Sequence, residues 1–250
     1  MRGRIALALA GRVLRQLRHD HRTTAMLLVL PAVVLTLLWW MFEDAGPGFD
    51  SLGPPLLALI PFIVMFLVTS VTTLRERSSG TLERLLAMPT GKLDFLGGYA
   101  LAFGLAAMLQ SVIAVLLCVW ALGLDVSGPI WMLSVVAVAD AVLGTALGLF
   151  VSAFARTEFQ AVQFMPAIVI PQILLCGLFI PRDEMPPVLG AISDVLPLSY
   201  AVDAMTTVST TTSDAFGGVD TSVWGDLAVV VGFTVAALAL GAATLRRRTA

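Results

Sequence analysis

Six stretches of the chain are apolar for long enough to cross a bilayer as helices: 23–42, 54–74, 95–122, 129–155, 159–180 and 224–245. About 20 residues at about 1.5 Å each span roughly 30 Å of hydrocarbon, and each stretch meets that length. None alternates apolar and polar residues in the manner of a transmembrane barrel strand, so the pattern predicts an all-α polytopic membrane protein of six spans. Ahead of the first span, Arg4, Arg15, Arg18 and Arg22 fall on one side of a helical wheel, and Leu7, Leu9, Val13, Leu14 and Leu17 on the other. That is an amphipathic helix suited to lying on the membrane surface, and the run 5–10 is too short to be a cleaved signal.

The connections differ in kind. Residues 74–95, LRERSSGTLERLLAMPTGKLDF, place a charged, helix-forming insert where a short turn would join two spans. Gly80 suits an N-cap with Glu83 at the third helical position, Leu82, Leu85 and Leu86 form an apolar stripe, and Pro89 ends the run. A short helix that is half apolar and half charged is best explained by a partner with a groove. Between spans five and six, residues 181–223 show helical spacing of Val188, Leu189, Ile192, Val195 and Leu196. Pro186, Pro187, Pro197, Asp194 and Asp203 forbid another full span there, so short helices dipping into the outer bilayer are expected, followed by a polar loop rich in Gly, Ser and Thr.

Charge fixes the expected orientation. Of fifteen Lys and Arg, all but Arg182 fall on one side of the six-span arrangement, the side that carries both termini. The opposite side carries Glu43, Asp44, Asp50, Asp125, Asp183, Glu184, Asp194, Asp203, Asp214, Asp220 and Asp226. Basic flanks stay cytoplasmic, so both termini are expected in the cytoplasm. Composition agrees with membrane residence: 58% of residues are apolar, 13% are charged, and the mean hydropathy is +0.93. Asn is absent and Lys92 is the one lysine, a bias that GC-rich bacterial genomes produce. Cys118 and Cys176 both lie in apolar runs and read as small core residues.

Catalytic chemistry finds no foothold. His19 and His21 are the only histidines and both precede the first span, no HExxH or GxSG occurs, and no intramembrane protease site or metal site can be assembled. GxxxxGK[ST] is absent, so the chain does not bind ATP by a phosphate loop.

Arg75, Glu76 and Arg77, followed by Ser79, Gly80, Thr81, Leu82, Glu83, Leu85, Leu86 and Pro89, resemble the signature of ABC-2 type transporter permeases between their second and third spans. Cys176 to Met205, CGLFIPRDEMPPVLGAISDVLPLSYAVDAM, is similar to that family's region before the last span. Gly98 and Thr206–Thr207 depart from the pattern, which often has basic residues there. The resemblance implies one transmembrane domain over 1–250, with a connecting helix at 1–22, a coupling helix at 75–91 that docks on an ATPase subunit, and an external segment at 181–223. It further implies two ATPase copies that bind ATP and Mg, no cofactor in this chain, and a second permease, identical or homologous, completing a dimer in the bacterial cell membrane. The implied cargo is a small hydrophobic or amphipathic, drug-like solute moved outward, with no nucleic acid involved. Lipid or polysaccharide export, and a non-transporting assembly or immunity role, are the alternatives. ATPase-coupling residues on this reading are Arg75, Glu76, Arg77, Gly80, Thr81, Leu82, Glu83, Leu85 and Leu86.

Inside the spans, span five is polar and proline-bearing, so Gln163, Pro166, Pro171, Gln172, Phe179 and Pro181 are candidates to line a pathway or gate. Asp140 is the one carboxylate deep in a span. It contacts a cationic substrate or a proton, or it hydrogen-bonds within the bundle to Ser111, Gln110 or Thr145. Gly144, Gly148 and Ser152 on span four, and Gly98, Ala102 and Ala106 on span three, form small-residue stripes that favour close helix packing within one subunit.

Overall fold

The structure is a computed structural model that describes residues 3–42, 48–78, 92–155, 157–212 and 218–244. Among these residues the regular secondary structure is entirely helical. Helix α1 is Gly3–His19, α2 His21–Phe42, α3 Gly48–Ser78, α4 Lys92–Leu116 with a π-helical turn Leu117–Ala121, α5 Ile130–Ser152 and α6 Glu158–Leu175. A 3₁₀ turn at Arg182–Glu184 precedes α7, Pro187–Ser193, and α8, Pro197–Thr210; α9 is Thr221–Thr244. Six of these are long and apolar enough to span a membrane, as the apolar runs predict. Helices α7 and α8 meet at 89° and form a bent pair in place of a seventh straight span.

The spans are not equivalent. The most apolar part of α3 is 78% buried within the chain, whereas the corresponding parts of α2, α6 and α9 are 17% buried. Helix α3 is the spine, and it packs against α2, α4, α5, α6 and α8. Its closest neighbour is α5, and the reason is steric. A Cβ on Gly144 would lie 2.5 Å from the carbonyl oxygen of Phe62, and one on Gly148 would lie 2.6 Å from that of Phe66. The pairs 144 with 62 and 148 with 66 advance together, so the two helices run parallel with backbones in direct contact. The small-residue stripe of span four therefore serves packing within the chain.

Helix α1 uses the same device. Its Ala6, Leu9, Ala10, Val13 and Leu17 are buried, and Gly98 of α4 lies where a Cβ would be 2.7 Å from the Leu9 Cβ. Thus the apolar face of α1 is covered by α4, with Phe95, Leu96 and Tyr99 in one cluster with it, instead of resting on lipid. Leu7, expected on that face, is 66% exposed, because Ala6 and Ala10 take the places nearest α4. Asp20 separates α1 from α2 and caps α2: Thr23 N–H donates to its Oδ1 at 3.2 Å and the Thr23 hydroxyl to its Oδ2 at 2.7 Å.

Two predicted spans end differently from their hydropathy. Span five is apolar to residue 180, but α6 stops at Leu175 because Gly177 adopts φ +94°, a left-handed conformation that ends a helix. Span two begins earlier than the proline pair suggests: α3 starts at Gly48, with Pro54 and Pro55 in its second turn. Its 31 residues exceed a hydrocarbon span, so α3 projects beyond the bilayer.

At the acidic end the loop after the π turn is stitched to its neighbours. Asp125 N–H donates to Asp50 Oδ1 at 3.0 Å, Ser127 N–H to the Ser209 carbonyl at 2.8 Å, and Gly128 N–H to the Val208 carbonyl at 3.0 Å. Three otherwise separate ends, of α3, α4 and α8, are held together by backbone groups that would be orphaned in a bilayer.

Gly148→Ala is expected to lower the thermal stability of the detergent-solubilised chain by about 1–3 kcal/mol through overpacking. Gly104→Ala, where a Cβ meets nothing within 4 Å, is expected to leave it unchanged or slightly raised. Melting curves on both variants check this. The Thr23 hydroxyl and then its N–H hold the Asp20 carboxyl below its ordinary range. Its contribution, about 1 kcal/mol as a cap, is therefore full above the usual carboxylate pKa and fades as pH falls through the lowered value. The melting difference between wild type and Asp20→Ala is expected at pH 7 and lost in strong acid.

Candidate functional site

Four regions gather the residues that the sequence singles out. The first is the Arg-rich end of α3. Arg75, Glu76 and Arg77 occupy the last turns of this helix, whereas Gly80, Thr81, Leu82, Glu83, Leu85 and Leu86 lie outside the described residues. Arg75 makes a bidentate pair with Glu158, the first residue of α6, with Nε to Oε1 and Nη2 to Oε2 both at 3.1 Å. Glu76 is buried and turned toward α1, where Arg12 Nη2 stands 3.7 Å from its Oε1 and Gln16 hydrogen-bonds to it. Neither Arg12 nor Glu158 is a candidate on sequence grounds, since their partners are 64 and 83 residues away.

The second region is α6. Gln163, Pro166 and Pro171 share an exposed stripe with Phe159, Val162, Ile170 and Leu174. The helix continues through both prolines. A glutamine on an outward face of a spanning helix is poorly matched to lipid, which makes this the face most in need of a protein or aqueous neighbour. Gln172 is on the other side: it is buried, its Nε2 donates to the Ile168 carbonyl at 3.2 Å, and its Oε1 accepts from Leu198 N–H at 3.4 Å. It caps an orphan donor in the first turn of α8 and so ties the bent pair to α6. Met65 and Phe66 are wholly buried in the core, apart from the exposed Phe179.

Third is the outer corner after α6. Phe179 and Pro181 are exposed beyond its end, and Arg182, the only basic residue of the acidic side, pairs with both Asp194 and Asp203. Its guanidinium also lies over the Tyr200 ring at 4.9 Å, while Tyr200 Oη donates to the Asp194 carbonyl at 2.7 Å. Ser193 Oγ donates to the Leu175 carbonyl at 2.7 Å, satisfying an end of α6. Arg182 thus clamps the bent pair to the turn that follows α6, and Ser193 ties it to the end of the helix itself.

The fourth is Asp140, wholly buried in α5, with no hydrogen-bond partner for either carboxylate oxygen among the described residues. None of the bonds considered for it is made: Thr145 Oγ1 donates to the Ala141 carbonyl instead, and the Gln110 amide and Ser111 hydroxyl are likewise unpartnered. Asp140 is enclosed by the chain itself and does not share the exposed stripe of Gln163 and Pro166.

A family model described as ABC-2 type transporter matches residues 6–209, most of the chain. The chain belongs to the ABC-2 type transporter family. It is accordingly a multi-pass protein of the cell membrane. This ABC-2 protein is 25% identical over 176 residues to the probable multidrug ABC transporter permease YbhS of Escherichia coli strain K12, covering 70% of this chain and 46% of YbhS. It is 26% identical over 189 residues to the linearmycin resistance permease protein LnrN of Bacillus subtilis strain 168, covering 75% of this chain and 47% of LnrN. It is also 27% identical over 156 residues to ABC transporter G family member 20 of Dictyostelium discoideum, covering 62% of this chain and 21% of that protein. The chain thus spans about half the length of these bacterial relatives and less of the last. The match reaches from α1 through α8, so it includes the Arg75–Glu76 end of α3 and the Arg182 corner.

Asp140→Leu is expected to preserve or raise thermal stability, by up to about 3 kcal/mol, because it removes a buried polar group that has no partner. A lowered melting temperature would instead show that the carboxylate is satisfied in the folded protein.

Proposed function

We propose that this chain is the membrane subunit of an ATP-driven exporter that moves hydrophobic or amphipathic, drug-like solutes out of the cell. Its family membership carries the reading, and the names of two relatives, the probable multidrug ABC transporter permease YbhS and the linearmycin resistance permease protein LnrN, point to the class of solute. These 250 residues hold no phosphate-binding loop, so the ATP that drives export is bound by an ATPase outside them. The Arg-rich end faces the cytoplasm, where segment 79–91 docks on that ATPase, and the acidic end faces outward. A second permease covers the exposed stripe of α6, and the pathway runs between the two, where Gln163 meets a polar or aqueous neighbour instead of lipid.

Several features support this arrangement. Helix α6 is one of three spans only 17% buried, and of these three it is the one that carries glutamines, as suits a pathway wall. The bent pair held by Arg182 stands where such a pathway would open to the outside.

A strain lacking this chain is expected to become several-fold more sensitive to some members of a panel of hydrophobic and amphipathic antibiotics. Wild-type chain restores tolerance, and Leu85→Pro, a proline inside the helix that the sequence predicts for this segment, inserts at the same level without restoring it. Full complementation by Leu85→Pro, or a panel in which deletion changes nothing, would contradict the proposal.

A further inference from the structure

The end of α3 that leads into segment 79–91 is braced to two different helices by two consecutive residues. Successive residues on a helix project about 100° apart, so Arg75 and Glu76 point to separate neighbours. Glu76 reaches α1 and Arg75 reaches α6.

The two prongs differ in character. Glu76 is enclosed, its side chain only 6% exposed, with Arg12 and Gln16 both directed at it. Beside it α1 is seated on α4 through Gly98, Phe95, Leu96 and Tyr99. Arg12 is 36% exposed but Glu76 is enclosed, so drawing Arg12 away would leave a buried carboxylate without its counter-charge, and the pair holds α1 against the end of α3. Arg75 and Glu158 are 59% and 47% exposed, and the apolar contact at that end is small, formed by Leu74, Ala155 and Ala161 with Phe164. An exposed pair is weak and is screened by salt, but its two parallel hydrogen bonds fix direction. Asp20, the cap of α2, also lies within electrostatic reach of Arg75.

We propose that Arg75 and Glu76 are a two-pronged positioning device: Glu76 keeps α1 fixed to the end of α3, and Arg75 is a releasable latch that passes displacement of segment 79–91 to α6. The inference rests on the proposed function for the source of that displacement, although the two prongs stand on geometry alone. Helix α6 carries the exposed stripe of Gln163 and Pro166, so the latch connects the docking side of the molecule with the wall of the pathway in one side-chain step.

The test uses the full chain in lipid nanodiscs, together with any ATPase that purifies with it, and with both buried cysteines, Cys118 and Cys176, replaced by alanine. Spin labels at Leu101 and Val162 report α6 against the core, and labels at Leu101 and Leu7 report α1; all three positions are exposed. Arg75→Glu is expected to broaden the first distance distribution roughly twofold and leave the second alone, and Arg75→Glu with Glu158→Arg to restore it. Raising salt from about 0.15 M to about 1 M shortens the screening length from about 8 Å to about 3 Å and is expected to broaden the first distribution only. Glu76→Gln is expected to broaden the second. An α6 distance indifferent to Arg75→Glu, or one that the double reversal fails to restore, overturns the latch. In the complex, Mg-ATP is expected to shift the first distance in wild type and not in Arg75→Gln, and an equal shift in both also overturns it. Absence of any ATPase defeats the proposed function but leaves the latch to be decided by the charge-reversal distances.

Discussion

Direct backbone contact between α3 and α5 is the constraint on which the other elements depend. In a bilayer, apolar side chains gain nothing by leaving lipid for one another, so helices associate through close packing. Gly144 and Gly148 remove the side chains that would keep the two helices apart, and the carbonyls of Phe62 and Phe66 occupy the space. With α5 seated this way, α3 becomes the buried spine and the remaining spans are arranged by what they touch on it. Helices α2, α6 and α9 stay at the periphery with most of their apolar surface turned outward.

Polar groups do different work at the two ends of this apolar assembly. At the Arg-rich end, ion pairs connect α3 to α1 and α6. At the acidic end, backbone hydrogen bonds from residues 125–128 and the single Arg182 close the ends of α3, α4, α6 and α8. Satisfying helix ends this way is required where chain termini approach hydrocarbon. Between the two ends lies an interior with orphan polar groups at Asp140, Gln110 and Ser111, which the surrounding helices do not satisfy. The resulting body has a closely packed centre and less enclosed edges, with α6 among the latter.

Much of this was legible in the amino-acid sequence, for physical reasons that also explain the gaps. Crossing a bilayer demands length and apolarity, which a linear reading detects, and all six spans were found by it. Proline and aspartate spacing exposed the bent outer pair, and four-residue spacing exposed the glycine contact of α5. The end of α6 was misplaced because residues 176–180 remain apolar while Gly177 turns the backbone, and hydropathy is blind to φ. The apolar face of α1 was assigned to lipid because its true cover, α4 at Gly98, comes almost ninety residues later. For the same reason the partners Arg12 and Glu158 carried no local signal, although their counterparts Glu76 and Arg75 stood in a recognisable motif.

The most direct test of the account is affinity purification of this chain from its native membrane in mild detergent, followed by mass spectrometry of what remains in stoichiometric amount. The account predicts a soluble ATPase with a phosphate-binding loop, retained by the wild-type chain. Recovery of the chain alone, or only with membrane proteins that lack a nucleotide site, would contradict the reading of this protein as the membrane half of an ATP-driven exporter.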